Sequence, residues 1–318
     1  MPSPQTEHEG VFSMPMWLLG LLFLVVEYSV YLGGVWLIFF RHGEFLRGGL
    51  ALLALPLLFR LLVALVSYKL SRSKGMVLLP SERLGAIAWL KFFIIEYWHL
   101  CIQNLVLIPF RGLFHTRSER GTGPTHGRVL LMQHGYVNNG TVWFFTARAL
   151  EARGYRVFTI DQPPFASIDT MGDLLAKRVD EVLKITGATK LTLVAHSMGG
   201  LISRAYLRRY GSDKIDQLIT IGSPHHGTFQ AALARGENGV QMRVGNPWLT
   251  TLGDTPIGIP FTSIYSIHDT VISPQDSSVM VGADNVRLSA VGHVSMPSGA
   301  GTRSTLITAL ESVQSPSH

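Results

Sequence analysis

The sequence predicts an α/β fold, a mostly parallel sheet flanked by helices, preceded by an N-terminal transmembrane helical region. Three observations predict it. From Arg128 onward, short apolar runs alternate with helical patterns, as in βαβ units. The first third of the chain holds long apolar runs with few charges. And 47% hydrophobic against 15% charged residues, with a mean hydropathy of +0.27, is too apolar for an ordinary soluble protein of 318 residues.

Residues 1–115 form the helical, membrane-anchoring region. Val11 to Phe40 is broken mainly by Glu27 and exceeds the about 20 residues that a bilayer crossing needs. The polar turn RHGE follows, then a second run from Phe45 to Tyr68 that carries Arg60. Spans at 11–40 and 45–68 predict a helical hairpin. A cleaved signal peptide fits poorly, because no basic segment precedes Val11 and the first run is too long. A soluble pair of buried helices is the alternative. Residues 85–110 are apolar but interrupted by Lys91, Glu96, His99, Gln103 and Asn104; Glu96, His99 and Gln103 share one helical face. This predicts an amphipathic helix that lies on the membrane or docks on the next domain, with a third span as the alternative. Lys69, Arg72, Lys74 and Arg83 place the connecting segment in the cytoplasm by the positive-inside tendency. Two spans then put the following domain in the cytoplasm and three put it on the far side, so the side stays open.

The net charge is +6, and its surplus flanks the apolar segments: residues 1–125 hold 11 Lys and Arg against 7 Asp and Glu, the remainder 16 against 14. That suits anionic headgroups. No basic run interleaved with aromatics points to nucleic acid, which is not an expected partner. The single cysteine, Cys101, excludes an intrachain disulfide. No HExxH or Cys/His spacing suggests zinc, and neither a metal nor a cofactor is expected.

Residues 116–127, TRSERGTGPTHG, read as a polar linker to a domain at 128–318. RVLLMQ reads as a buried strand, Thr141 to Arg153 as a helix ended by Gly154, YRVFTI as a strand and Met171 to Ile185 as a helix. KLTLVAH is the next strand and Met198 to Arg209 the next helix. DQLITIGS, FTSIYSI and NVRLSAV are further strands, and a closing helix spans Thr302 to Val313. Between two of these strands, residues 224–260 form an insert of the length expected of a lid or binding element, or of an extra surface helix pair.

The strand LTLVAH runs straight into Ser197, and a helix starts one residue later. A serine there sits on a sharp turn that needs small neighbours, and Ala195 and Gly199 supply them. The turn exposes the hydroxyl at the carboxyl edge of the sheet, beside helix N-terminal amides that attract developing negative charge. A serine that merely closes a turn is the bland alternative.

AHSMGG, HGY, GSPHHGT and the order Ser, Asp, His resemble the α/β-hydrolase superfamily, in particular bacterial triacylglycerol lipases and esterases. The resemblance covers about Arg128 to Val313. One position departs from the usual pattern: Ala195 stands at the first glycine of the serine motif. The resemblance implies Ser197 as nucleophile and His293, in VGHVSM, as base. It implies Asp269, in IHDTVISP, as the acid, with Asp276 and Asp284 as runners-up. The oxyanion hole would be the backbone amides of Tyr136 and Met198. His134, Gly135, Pro163, Phe165 and His225 are the candidates for the substrate pocket; Gly135 permits close backbone approach, and DQPPF forms a rigid wall. His196 is expected to point into the sheet packing. Some lipases bind calcium near the catalytic histidine, but Val-Ser-Met follows His293 without a carboxylate, so no calcium is expected.

The expected function is a membrane-anchored serine hydrolase of carboxylic esters, acting on acyl lipids, with a multi-pass address in a bacterial inner membrane. The first rival is an acyltransferase with the same triad. A non-catalytic membrane interaction module and a peptidase are the others. Acyl length, head group and oligomeric state stay open.

Overall fold

Six of the apolar runs become strands: β1 (Val129–Gln133), β2 (Arg156–Ile160), β3 (Leu191–His196), β4 (Ile215–Ile221), β5 (Phe261–Ser266) and β6 (Asp284–Leu288). In this computed structural model, which describes residues 14–253 and 257–313, they pair in one parallel sheet of order β2-β1-β3-β4-β5-β6. Register is set by side-chain alternation. Val129 and Leu131 of β1 enter one core layer, Leu130 and Met132 the other. The first layer packs on α5 (Ile168–Thr186) and α6 (Met198–Tyr210) through Leu175, Val179, Leu201 and Ile202. The second packs on α4 (Phe144–Glu151) and α9 (Ala300–Ser312) through Ala147, Leu150, Leu306 and Leu310, with Trp143 just before α4.

Two helix starts differ from the sequence expectation, each for a capping reason. The expected helix from Thr141 opens as a 3-10 turn, Gly140–Trp143, because the Asn139 side chain accepts from Thr141 N–H. And α5 begins at Ile168 rather than Met171, because the Ser167 hydroxyl accepts from Thr170 N–H.

The helical region comprises α1 (Met16–Ile38), α2 (Phe45–Ser73) and α3 (Ala86–Ile102), the last running into a π turn at Gln103–Leu107. Residues 11–13 of the first expected span lie outside the described residues. Two helices, Met16–His42 and Phe45–Ser73, are long and apolar enough to cross a membrane, with hydropathies of 1.9 and 2.5. Only 11% and 17% of their most apolar stretches are buried, whereas a core helix of a soluble domain would be mostly buried. The charges that interrupt the two runs meet each other: Arg60 donates to Glu27, and Tyr31 adds a hydroxyl at 2.8 Å.

Helix α3 docks on the α/β domain. Phe92 and Phe93 bury against Ala64, Tyr68 and Trp89, while Glu96 and Gln103 turn to the sheet domain. His99, expected on the same face, instead bonds its own Ile95 carbonyl at 2.8 Å.

Within residues 116–127, expected as a polar linker, Ser118 and Glu119 lie along the outer edge of β2. The Ser118 hydroxyl accepts from Val157 N–H at 2.9 Å and the Glu119 carboxylate from Thr159 N–H at 2.8 Å. An edge strand exposes unpaired amides, and these side chains satisfy them. The insert after β4 folds into a 3-10 turn (Phe229–Leu233), α7 (Gly236–Gln241) and α8 (Pro247–Gly253); residues 254–256 of it lie outside the described residues, as do 314–318.

Candidate active site

The sheet order reverses direction between β1 and β3, and a crevice opens at the carboxyl ends of strands at such a point. Two loops flank it, His134-Gly135-Tyr136 after β1 and Ser197 after β3. Ser197 holds φ 56° and ψ −129°, a conformation that side chains resist, and its N–H donates to Ile221 O at 2.9 Å. The turn closes only because its neighbours are small. A Cβ at Gly199 would lie 2.7 Å from His134 O and 2.8 Å from Gln133 O; a Cβ at Gly135 would lie 2.7 Å from Ser197 Cβ.

Asp269 leaves β5 and is buried. Its Oδ1 accepts from Val271 N–H and Ile272 N–H, each at 2.7 Å, and its Oδ2 accepts from His293 Nδ1–H at 2.8 Å. The structure thus brings Asp269 to His293, and not Asp276 or Asp284, both of which are exposed. Burial opposes the His293 imidazolium, but the Asp269 carboxylate and then Glu96 outweigh it and hold this group above the ordinary imidazole range. With Nδ1 committed to Asp269, Nε2 is the free basic nitrogen.

Gly222 measures how near this pair lies to Ser197. It follows Ile221, the acceptor of the Ser197 amide, and a Cβ on it would sit 3.2 Å from Asp269 Oδ2 and 3.3 Å from His293 Nδ1. Among the described residues, the Ser197 hydroxyl makes no hydrogen bond, to His293 or to any other group.

Of the two expected oxyanion donors, the Tyr136 N–H has no acceptor among the described residues, and the Met198 N–H opens α6, where the first amides lack intrahelical partners. The Tyr136 phenol straps the insert: it donates to Arg235 O at 2.9 Å and accepts from Arg235 N–H at 2.8 Å. Phe165 packs on the Tyr136 ring, 6.4 Å between centroids, and Pro163, two residues earlier in the chain, is half-buried. His134 is a tie rather than a pocket wall. Its Nδ1–H donates to Gly135 O, its Nε2 accepts from Gln162 N–H, and burial pushes its imidazole down from the usual range. His225 is buried between Thr220 and Arg204, with both ring nitrogens engaged, which leaves no ring atom for a substrate.

A family model described as alpha/beta hydrolase fold matches residues 128–243. The mature Bacillus licheniformis lipase BlEst2 superposes with a TM-score of 0.52 at 18% identity, over 59% of this chain and 91% of that one. The chain has an α/β-hydrolase fold. A triacylglycerol lipase of Pseudarthrobacter phenanthrenivorans is 34% identical over 96 residues, 29% of this chain and 30% of that protein. Lipase B of Pseudozyma antarctica is 30% identical over 157 residues, 43% of this chain and 46% of that protein. The chain spans less than half the length of these relatives. The matched family segment of the hydrolase fold contains Tyr136 and Ser197; Asp269 and His293 lie beyond it.

Several residues around the site were not anticipated. His196 does not merely pack into the sheet: its Nε2–H donates to His293 O at 3.1 Å, and the two rings lie 4.6 Å apart. Ser71 of α2 and Gln275 both donate to Asp269 O, at 2.5 and 3.1 Å. Gln103 donates to Val294 O at 2.8 Å. Only Glu96 and Gln103 carried a signal, as polar residues on one face of an apolar helix.

Proposed function

We propose that the chain is a membrane-anchored serine hydrolase of carboxylic esters, with acyl lipids as its substrate class. The observation that carries this reading is Ser197 on a strained turn at the mouth of the crevice, with a buried Asp269–His293 pair packed against Gly222, the residue after the acceptor of the Ser197 amide. Similarity of the hydrolase domain to triacylglycerol lipases supports the ester bond and the acyl chain.

His293 Nε2 takes the proton of Ser197 as Oγ attacks the ester carbonyl. That hydrogen bond forms when substrate arrives, since such bonds tighten in the bound complex. The carbonyl oxygen becomes an oxyanion and rests on the Met198 and Tyr136 amides. The imidazolium is held by Asp269 and returns its proton to the leaving alkoxide, which departs as alcohol and leaves the acyl group on Oγ. Water then attacks with His293 again as base, the acyl–Oγ bond breaks as His293 returns that proton to Ser197 Oγ, and the acid leaves. Phe165, Phe229 and Leu233, exposed around the insert, give the acyl chain an apolar approach. Helices α1 and α2 keep this opening beside the bilayer, which places lipid esters within reach.

The test is hydrolysis of p-nitrophenyl esters of increasing acyl length by purified protein, with Ser197→Ala in parallel. The substitution should lower kcat by about 10⁶. Equal rates for the two proteins would reject the assignment.

A further inference from the structure

Helix α3 places one carboxylate inside the α/β domain. Glu96 is buried, and its oxygens accept three hydrogen bonds: from Thr270 Oγ1–H at 2.6 Å, Val294 N–H at 2.8 Å and Ser295 N–H at 2.9 Å. A buried carboxylate is tolerated when its lone pairs are satisfied in this way. The three donors are not arbitrary. Thr270 follows Asp269, Val294 and Ser295 follow His293, and Thr270 Oγ1 also accepts from His293 N–H at 3.2 Å. One side chain therefore clamps both loops of the Asp269–His293 pair. Gly292 makes the space: a Cβ there would lie 2.3 Å from the Glu96 carboxyl carbon.

We infer that Glu96 is a positioning residue for His293, so that the N-terminal helical region is a working part of the active centre as well as an anchor. This rests on His293 being the base of the proposed reaction. Two effects follow from the geometry. The clamp fixes the imidazole laterally, because neither Val294 nor Ser295 can move without breaking a hydrogen bond to a charged group. And the Glu96 charge favours the imidazolium that forms when Ser197 loses its proton. The charged groups facing this imidazole are Asp269, from the loop after β5, and Glu96, from α3. The third neighbour, His196 at the end of β3, is kept neutral because burial, and then His293 itself, pushes it well below the usual range. Gln103 completes the device without charge, from Val294 O on one side to Asn138, in the loop after β1, on the other.

The test uses the full chain in detergent, with Glu96→Gln, Glu96→Asp and Gly292→Ala beside the wild type and Lys91→Gln as a control on the exposed face of α3. The first readout is the titration of the His293 imidazole by NMR, which needs no turnover. Glu96→Gln and Gly292→Ala should both move it to lower pH, Glu96→Asp should restore part of the shift, and Lys91→Gln should leave it in place. The second readout is the pH profile of ester hydrolysis, in which Glu96→Gln should lower kcat by about a hundredfold with little change in KM, the size expected when a catalytic group is misplaced by about 1 Å. An unchanged His293 titration in Glu96→Gln overturns the inference, whatever the activity. A wild type that hydrolyses no ester, with the titration shift intact, overturns the function proposed above and leaves the role of Glu96 toward His293 standing.

Discussion

Ser197 can hold its strained backbone because Gly135 and Gly199 carry no side chain where the turn packs closest. Gly199→Ala should therefore cost about 1–3 kcal/mol, since the new Cβ would meet two backbone carbonyls that cannot move aside. An unchanged urea midpoint would contradict this. His293, held above the ordinary imidazole range, must be neutral to act as base. Hydrolysis should then fall as pH drops through a value above that of a free histidine. Asp269→Asn should move that limb to lower pH and cut kcat by about 10⁴, read from the pH dependence of kcat and of kcat/KM. At this scale the serine was legible because everything its turn needs lies within a few residues of it. Glu96 was legible only as a polar interruption, because the amide it serves is 198 residues away and leaves no local mark.

Elements were legible where periodicity alone decides them. The strands stand out as short apolar runs and α5 by its helical period, whereas the first turn of α5, opened by the Ser167 cap, was not read from the sequence. The segment at 116–127 misled because its composition is that of a solvated linker, while its Ser118 and Glu119 side chains are occupied by the edge amides of β2. Pairing between elements is equally silent in sequence. Glu27 and Arg60 each looked like a flaw in an apolar run, and together they join α1 to α2. Arg60→Met should leave Glu27 uncompensated and destabilise the hairpin by about 3–5 kcal/mol, whereas adding Glu27→Leu should recover most of the loss. Thermal unfolding in detergent micelles measures both, and additive losses would contradict the pairing.

Over the whole molecule, apolar surface and chemistry lie on the same chain in a definite relation. α1 and α2 expose their apolar faces, α3 docks on the sheet domain through Glu96, and the insert presents Phe229 and Leu233. A protein so built should stay with membranes through washes in high salt and in alkaline carbonate, because burial of apolar area, and not ionic attraction, retains it. Release by carbonate, detected by immunoblot, would contradict the anchoring. The central claim, that one serine hydroxyl is activated by the Asp269–His293 pair, is tested most directly by treating the purified protein with a fluorophosphonate and locating the adduct by peptide mass spectrometry. The adduct should map to Ser197 and should form far more slowly in His293→Ala. Labelling at another residue, or at Ser197 with equal speed in both proteins, would contradict it.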